Sequence, residues 1–579
     1  MRGRRGRVGR WDVGVWVLLG AAILPGAGAT QAPEAAPDLV AMERLLSRAE
    51  ALGFSGQVLY AEDGRVLLHR AYGWADRADR RPFTTATPSG VASVSKQLTA
   101  AAVLALRDQG RLSLDDPVGR HLPELPDDKR GITLAQLLTH TGAMPPGDLM
   151  DDFELADGAA VLARVAAAPL RGEPGSRWRY SNAGYNLLAL VVDRATGLPR
   201  PEAMRHLVFG PAGMVHTGVG PPAGGEPPAH PYAADADQGD PRTWPPNGRT
   251  LGGGDVFSTA EDLFRFHRAV QDGRLFHDST AAAFHRAVVE IGPEGSGDGY
   301  GYGVFVRDNA DEGHVVEHGG DWERGYNAAF FRWDQGRRVL TLVSNAQDAA
   351  GFSLRHSVMG ELDRLARGGP GRFVPPEAQA LAPEQAAELE GRYPVDGGAV
   401  SLRFDGGLLW ASAEGQGALD LLLGADEAAR AVAAASNARA RELMEAELAG
   451  RDGFGPALRE DGAPFLGAYR SEWEATVAPL GADRSAEVLG TTLGSGSAST
   501  LVAVHGRDGT AWLTFHWRDG GAGRLGGMEV RPAWRPAPAP VAYPVAAAPG
   551  GGLVGYDLFR EVGVRFVVDD GRLVVRGPA

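Results

Sequence analysis

No cysteine occurs in this 579-residue chain, which excludes disulfides, a thiol nucleophile, cysteine-based metal sites and a lipid-modified N-terminal cysteine. Lysine is almost as scarce: of 58 basic residues only Lys96 and Lys129 are lysine, the rest being arginine. Long hydrophobic runs are missing too. The apolar stretch 13–24 has about a dozen residues, too few for a stable membrane span. Positive charge is in deficit, with a formal net charge of −14, which argues against nucleic acid or anionic lipid as a partner.

What is present begins with Arg2, Arg4, Arg5, Arg7 and Arg10, then the 13–24 stretch, Pro25 and the small residues Ala27-Gly28-Ala29. A basic region, an apolar core and an A-x-A site make residues 1–29 a signal peptide. Gly-Arg-Val after Arg4-Arg5 fits a twin-arginine signal poorly, so general secretion is the expected route. Cleavage would take the net charge from −14 to −18. Export without disulfides suits a bacterial periplasm or exterior. The 44% hydrophobic and 22% charged content is that of an ordinary globular protein, long enough for two to four domains.

The rarity of lysine gives Lys96 its meaning. Arginine keeps its proton in a protein, whereas a buried lysine amine can release one. Lys96 opens an apolar run, 97–106, closed by Arg107-Asp108-Gln109 and Gly110. Apolar all round, this run reads as a buried helix. Positions i and i+3 share a helical face, so the Ser93 hydroxyl and Lys96 amine can meet. The helix start also offers free N–H groups and a positive dipole end. These are the requirements of an acyl-transfer nucleophile. Lys129 lies in what reads as a charged loop, 127–130.

Elsewhere, 39–52 has helical spacing, and the runs 56–60 and 66–72 flank a hairpin signal at Glu62-Asp63-Gly64. Thr133 and Gln136 have capping-box spacing, and Ser258 with Glu261 repeats it. Strand-like runs at 313–318, 326–333 and 339–345 have short connections, including Asp334-Gln335-Gly336, so antiparallel pairing is expected. Together these predict an α+β domain over 38–367 built on one antiparallel sheet with a helical middle. A Gly/Pro-rich linker, 368–384, leads to a β-rich accessory region, 385–579, of one part or two. There, 391–412 and 554–575 read as hairpins, 500–504 and 510–517 as alternating runs, 425–449 as a helix and 532–549 as a Pro/Ala-rich loop.

Downstream of Ser93 stand Tyr180-Ser181-Asn182 and, ending a strand, His318-Gly319-Gly320. Taken singly, the first is a loop with a hydrogen-bonded Asn and the second a surface strand. With Ser93-x-x-Lys96 they form an ordered set that resembles the serine β-lactamase and penicillin-binding-protein superfamily, in its class C β-lactamase, D-alanyl-D-alanine carboxypeptidase and esterase branch. The segments 137–142, 210–214, 252–262 and 300–303 agree, and the likeness covers roughly 38–367. It implies a β-lactamase/transpeptidase-like fold.

The resemblance also implies roles. Ser93 would carry the acyl group, and Lys96 and Tyr180 would share proton traffic. Asn182 would bond a substrate amide and steady Lys96. The N–H groups of Ser93 and Asp321 would form an oxyanion hole, and Gly319 and Gly320 would let substrate lie on the strand edge. His140 is assigned to structure, and Tyr185 and Trp322 to wall or core. Two features depart from the penicillin-recognising pattern. His318 replaces a lysine and, mostly neutral at pH 7, captures a carboxylate less well, which tilts specificity toward esters or uncharged amides. Asp321 puts a carboxylate beside an oxyanion donor.

The expectation is therefore an exported serine hydrolase acting on a small-molecule or peptide substrate, including cell-wall D-amino-acid peptides. It needs no metal or cofactor, no nucleic acid and no stable membrane span. The alternatives are a true class C-like β-lactamase and a non-catalytic binding protein on the same fold.

Overall fold

The structure is a computed structural model that describes residues 36–578 apart from 146–148, 151–155, 234–235, 246, 293–295, 310–312, 323, 348–354, 373, 406, 458–469, 471–472, 475, 482, 495–496, 519–523, 532–541, 550, 558–561 and 570–571. The expected signal peptide, 1–29, lies outside the described residues.

The helix opened by Lys96 is α2 (Ser95–Asp108), preceded by a 3₁₀ turn, Ala92–Val94, that holds Ser93. Every residue from Ser95 to Leu106 is buried, as its all-round apolarity requires. The helix lies against a sheet made of β1 (Gly56–Glu62), β2 (Arg65–Tyr72), β3 (Val289–Glu290), β4 (Asp298–Tyr300), β5 (Phe305–Asn309), β6 (Gly313–Asp321), β7 (Asn327–Trp333) and β8 (Arg338–Ser344). Their order is β3-β4-β5-β6-β7-β8-β1-β2, antiparallel at every junction. The first β-run and the last therefore pair, Gly56 opposite Ser344, and one α+β sheet gathers both ends of the N-terminal domain.

The two faces of this sheet carry separate cores. On one face Val316, Ala328, Phe330 and Val343 join α2 and α3 (Asn182–Thr196). On the other, Val58, Tyr60, Leu340 and Leu342 pack under α1 (Leu39–Ala51) and the helix Arg355–Ala366. Period-two alternation divides each strand between them. A buried cation ties α2 to the sheet: Arg332 on β7 donates to Gln97 Oε1 at 2.6 Å, immediately beside Lys96.

Some local readings change. Thr133 does form a capping box: its hydroxyl accepts from Gln136 N–H at 3.2 Å and Gln136 Oε1 from Thr133 N–H at 3.0 Å. At the second site the N-cap is Thr259, which accepts from Asp262 N–H; Ser258 instead ends a short strand and bonds Thr217. Lys129 is not in a loop but in a helical turn, Asp127–Arg130, and is 2% exposed with Nζ 3.0 Å from Asp128.

The accessory region forms two antiparallel sheets. Strands Gly391–Val395, Gly398–Asp405, Leu408–Glu414, Ala542–Ala547, Leu553–Asp557, Val562–Asp569 and Arg572–Pro578 make the first. Inserted between its third and fourth strands are the helix Glu427–Leu448 and a four-stranded sheet, Ser485–Gly494 to Arg524–Arg531. Residues 542–547, expected as loop, are a strand because Tyr543 and Val545 both point into the core, a period-two signal that neighbouring prolines and alanines mask.

This region also touches the N-terminal domain. The buried Arg77 guanidinium lies 3.9 Å over the Tyr232 ring and 5.1 Å from that of Trp410. Ala546 completes the core beneath α1, and Arg48 donates to Pro375 O at 3.0 Å. None of these contacts lies on the α2 face. A chain ending at Arg372 is therefore expected to fold and keep Ser93 reactive, but to melt lower, by ~2–4 °C for each kcal/mol of interface lost. Calorimetry and active-site labelling check this; insoluble protein would contradict it.

Candidate active site

Ser93 sits where the chain turns sharply into α2. Ala92 before it has φ +44°, a left-handed conformation that costs a residue with a Cβ free energy and persists only when its surroundings enforce it. Here Ala92 is buried against Phe257, Trp322 and Tyr326. One helical turn on, the fully buried Lys96 places Nζ 3.0 Å from Ser93 Oγ and 2.9 Å from Gly253 O. The pairing expected from i, i+3 spacing is formed, across the joint between a 3₁₀ turn and an α-helix. Gly253 is a partner that sequence reasoning did not single out. A Cβ there would stand 3.3 Å from Lys96 Nζ and 3.4 Å from Asn182 Oδ1, so the 253 backbone closes on both groups. Asn182 is the first residue of α3.

Tyr180 completes the cluster from the segment before α3. Lys96 Nζ lies 4.9 Å from the centre of its ring, where a cation meets the negative π face. Its position is set by His140. The helix Leu134–Leu138 ends in a Schellman turn, with His140 N–H donating to Leu137 O and Thr141 N–H to Gln136 O. His140 takes the left-handed position, φ +57°. Its carbonyl then accepts from Arg179 N–H at 2.8 Å, and its Nδ1 from Ser181 N–H at 3.2 Å. Tyr180 is thus held between two residues anchored on one histidine, the ring centres 4.4 Å apart. Burial above all, then the Lys96 amine, holds the His140 pKa well below the usual histidine value, so it is neutral.

The opposite wall is the end of β6. His318 is 2% exposed, not on the surface, with Nδ1 2.6 Å from Gly319 O and Nε2 3.4 Å from Tyr300 Oη. Gly320 has a different necessity from the expected one. A Cβ there would lie 2.3 Å from Val91 O and 3.0 Å from Ser93 N, so glycine is what lets the strand abut the Ser93 turn. Gly319 is half-buried beside it, and Asp321 stands exposed at the strand's end, paired with Asn327. Trp322 packs on Trp244 and Tyr326 and is wall. Tyr185 is core, fully buried and donating to Leu138 O at 2.9 Å. Burial holds the pKa values of both Tyr185 and Tyr300 well above the usual phenol value.

Among the described residues, one cluster outside this site gathers metal-ligating types: Asp76, His230 and Asp237. His230 faces Asp237 through Nδ1 at 3.3 Å and Asp76 through Nε2 at 3.6 Å. Hydrogen bonding to Asp237 raises its pKa. An imidazole bridging two carboxylates is best satisfied as imidazolium, with a proton on each nitrogen, and the trio reads as an ion bridge.

The chain is similar to several known proteins. The chain is 31% identical over 318 residues to penicillin-binding protein 4* of Bacillus subtilis, covering 51% of this chain and 69% of that protein. It is 32% identical over 342 residues to esterase EstB of Burkholderia gladioli, covering 50% and 86%. Among solved structures, a penicillin-binding protein from Bacillus halodurans is 26% identical, spanning 55% of this chain and 98% of its own, with a TM-score of 0.46. The Beta-lactamase family matches residues 45–359, a span that contains the Ser93 turn, Tyr180 and the β6 wall. The chain belongs to the β-lactamase family of serine hydrolases.

Proposed function

We propose that the chain is an exported hydrolase that acts through an acyl-Ser93 intermediate on neutral esters or peptide-like amides, cell-wall D-amino-acid peptides among them. The observation that carries this reading is the buried Lys96 amine, 3.0 Å from Ser93 Oγ and anchored on Gly253 O. In its neutral form the amine keeps one N–H on Gly253 O and turns its lone pair to the Ser93 hydroxyl. As Oγ bonds to the substrate carbonyl carbon, the proton passes to Nζ. The carbonyl oxygen gathers charge against the N–H groups of Ser93 and Asp321, and Tyr180 passes a proton to the leaving group. Water then attacks the acyl-serine with the same groups in reverse roles. The scheme uses protein groups alone.

Export rests on the basic and apolar N-terminal pattern and is tested by the mass of the secreted chain. A start near Thr30 supports it, and a retained Met1 contradicts it.

The match to the Beta-lactamase family favours one second reading, a true β-lactamase. The two differ in turnover. A neutral-ester enzyme should show kcat/KM for p-nitrophenyl butyrate at least ~100-fold above that for nitrocefin, the scale of losing one charge-assisted contact to the β-lactam carboxylate. The reverse ratio would establish the β-lactamase. No turnover of either, with Ser93 unlabelled, would leave a binding protein on this fold.

A further inference from the structure

The hydrogen bonds around the β6 wall run in one direction. Ser181 N–H is always a donor, so His140 Nδ1 accepts. A neutral His140 then carries its proton on Nε2, which faces Tyr300 Oη at 3.2 Å. At the far end, Gly319 O is always an acceptor, so His318 Nδ1 carries a proton, at 2.6 Å. Tyr300 Oη, accepting from His140, points its own proton at His318 Nε2, 3.4 Å away. The donors and acceptors match along the whole chain when both histidines are neutral.

We infer that Tyr300 is a positioning residue: its hydroxyl, set between His140 and His318, holds His318 as the neutral Nδ1–H tautomer. The strand edge beside Ser93 then presents a fixed, uncharged set of groups instead of a titrating cation. This rests on the acyl-Ser93 reading and deepens it, because it names what makes the site one for substrates uncharged at that end. An imidazolium at 318 would turn a second N–H toward the Tyr300 oxygen, which would then accept from both histidines and could no longer donate to either. The Tyr300 proton would then have to swing to Tyr185 Oη, whose own proton goes to Leu138 O.

Of the other titratable groups around His318, all but one carboxylate act in the same direction or are neutral. Lys96 on α2, whenever it is protonated, disfavours a second positive charge in this cluster. Tyr180, with its ring centre 6.2 Å from that of His318, and Tyr185 on α3 are phenols. Phe305, at 5.2 Å, is apolar. Glu317, the preceding residue on β6, opposes them: its carboxylate acts on Tyr300, although alternation sends its side chain to the other face of the sheet from His318.

The test is Tyr300→Phe, which keeps the ring and removes the hydroxyl. The readout is kcat/KM for a matched pair of p-nitrophenyl esters, succinate monoester and butyrate, between pH 5 and 8. In the unmodified protein the anionic-to-neutral ratio should stay flat. In Tyr300→Phe, with the donor to Nε2 gone, His318 becomes free to protonate, and the ratio should rise about tenfold toward pH 5, one charge-assisted hydrogen bond's worth of discrimination. Superimposable profiles, or a ratio that already rises in the unmodified protein, would overturn the inference.

A second readout needs no variant and no turnover. The ¹⁵N shifts of His318 should report a protonated Nδ1 and a hydrogen-bonded, unprotonated Nε2 from pH 6 to 8; the other tautomer or imidazolium would overturn it. Fluorophosphonate labelling of Ser93 in both proteins separates the two claims. Absent labelling defeats the acyl-serine reading while the histidine shifts still decide the role of Tyr300.

Discussion

Lys96→Arg is expected to lower kcat/KM for p-nitrophenyl butyrate by ~100-fold or more, the usual cost of losing a general base. The charge survives the change; the ability to give up a proton does not, because a guanidinium stays protonated in a protein. The longer head also has to fit a fully buried space whose partners are 3.0 Å and 2.9 Å away. The comparison is Lys129→Arg. That lysine is buried too, so its replacement should cost ~1–3 kcal/mol of stability through overpacking and lower the melting temperature. Its ion pair is with Asp128 in a separate helical turn, so specific activity should be unchanged. Equal losses of activity in the two variants would make Lys96 a structural cation and remove it from the proposed proton path.

Gly320→Ala should be almost as damaging, although it adds one methyl group. The new Cβ would lie 2.3 Å from Val91 O and 3.0 Å from Ser93 N. Both are backbone atoms, which cannot rotate aside, so either β6 or the Ser93 turn must shift. The proposed oxyanion donors straddle this contact, one on the turn and one at the next strand position. Misplacing one such donor costs ~10²–10³ in kcat, and kcat for p-nitrophenyl butyrate is expected to fall by that order. Gly360→Ala, at a helical position with no neighbour within 4 Å, is the control and should be silent or slightly stabilising. Full activity in Gly320→Ala would show that the strand end does not shape the reacting centre.

How much of this was legible in the sequence follows from how local each signal is. Ser93 and Lys96 are three residues apart, and helical geometry alone brings them together. The three strands 313–321, 327–333 and 338–344 read as short strand-like runs joined by short turns, so their antiparallel pairing could be read directly. The strands Val289–Glu290 and Asp298–Tyr300 are two and three residues long, too short for a period-two pattern to register. The Gly253 carbonyl reaches Lys96 across 157 residues of chain; a backbone acceptor has no residue type to reveal it. His140 was legible as a helix end, yet the same left-handed turn carries it to Tyr180, a contact that depends on tertiary packing. His318 reads as a surface strand residue when taken alone, but strands and aromatic rings cover it on the site side. The buried state of Lys129 was hidden because its neighbours in sequence are charged, while the surfaces that cover it come from elsewhere in the fold.

The central claim is that Ser93 is the nucleophile and that its acyl form lies on the reaction path. Peptide mass mapping after brief incubation with a fluorophosphonate, and separately with an activated ester quenched in acid, tests it most directly. The account predicts one label per chain, confined to the peptide holding Ser93, an acyl adduct on that same peptide in the ester sample, and neither in Ser93→Ala. Labelling that persists in Ser93→Ala, or ester turnover that continues without any adduct on Ser93, would contradict it.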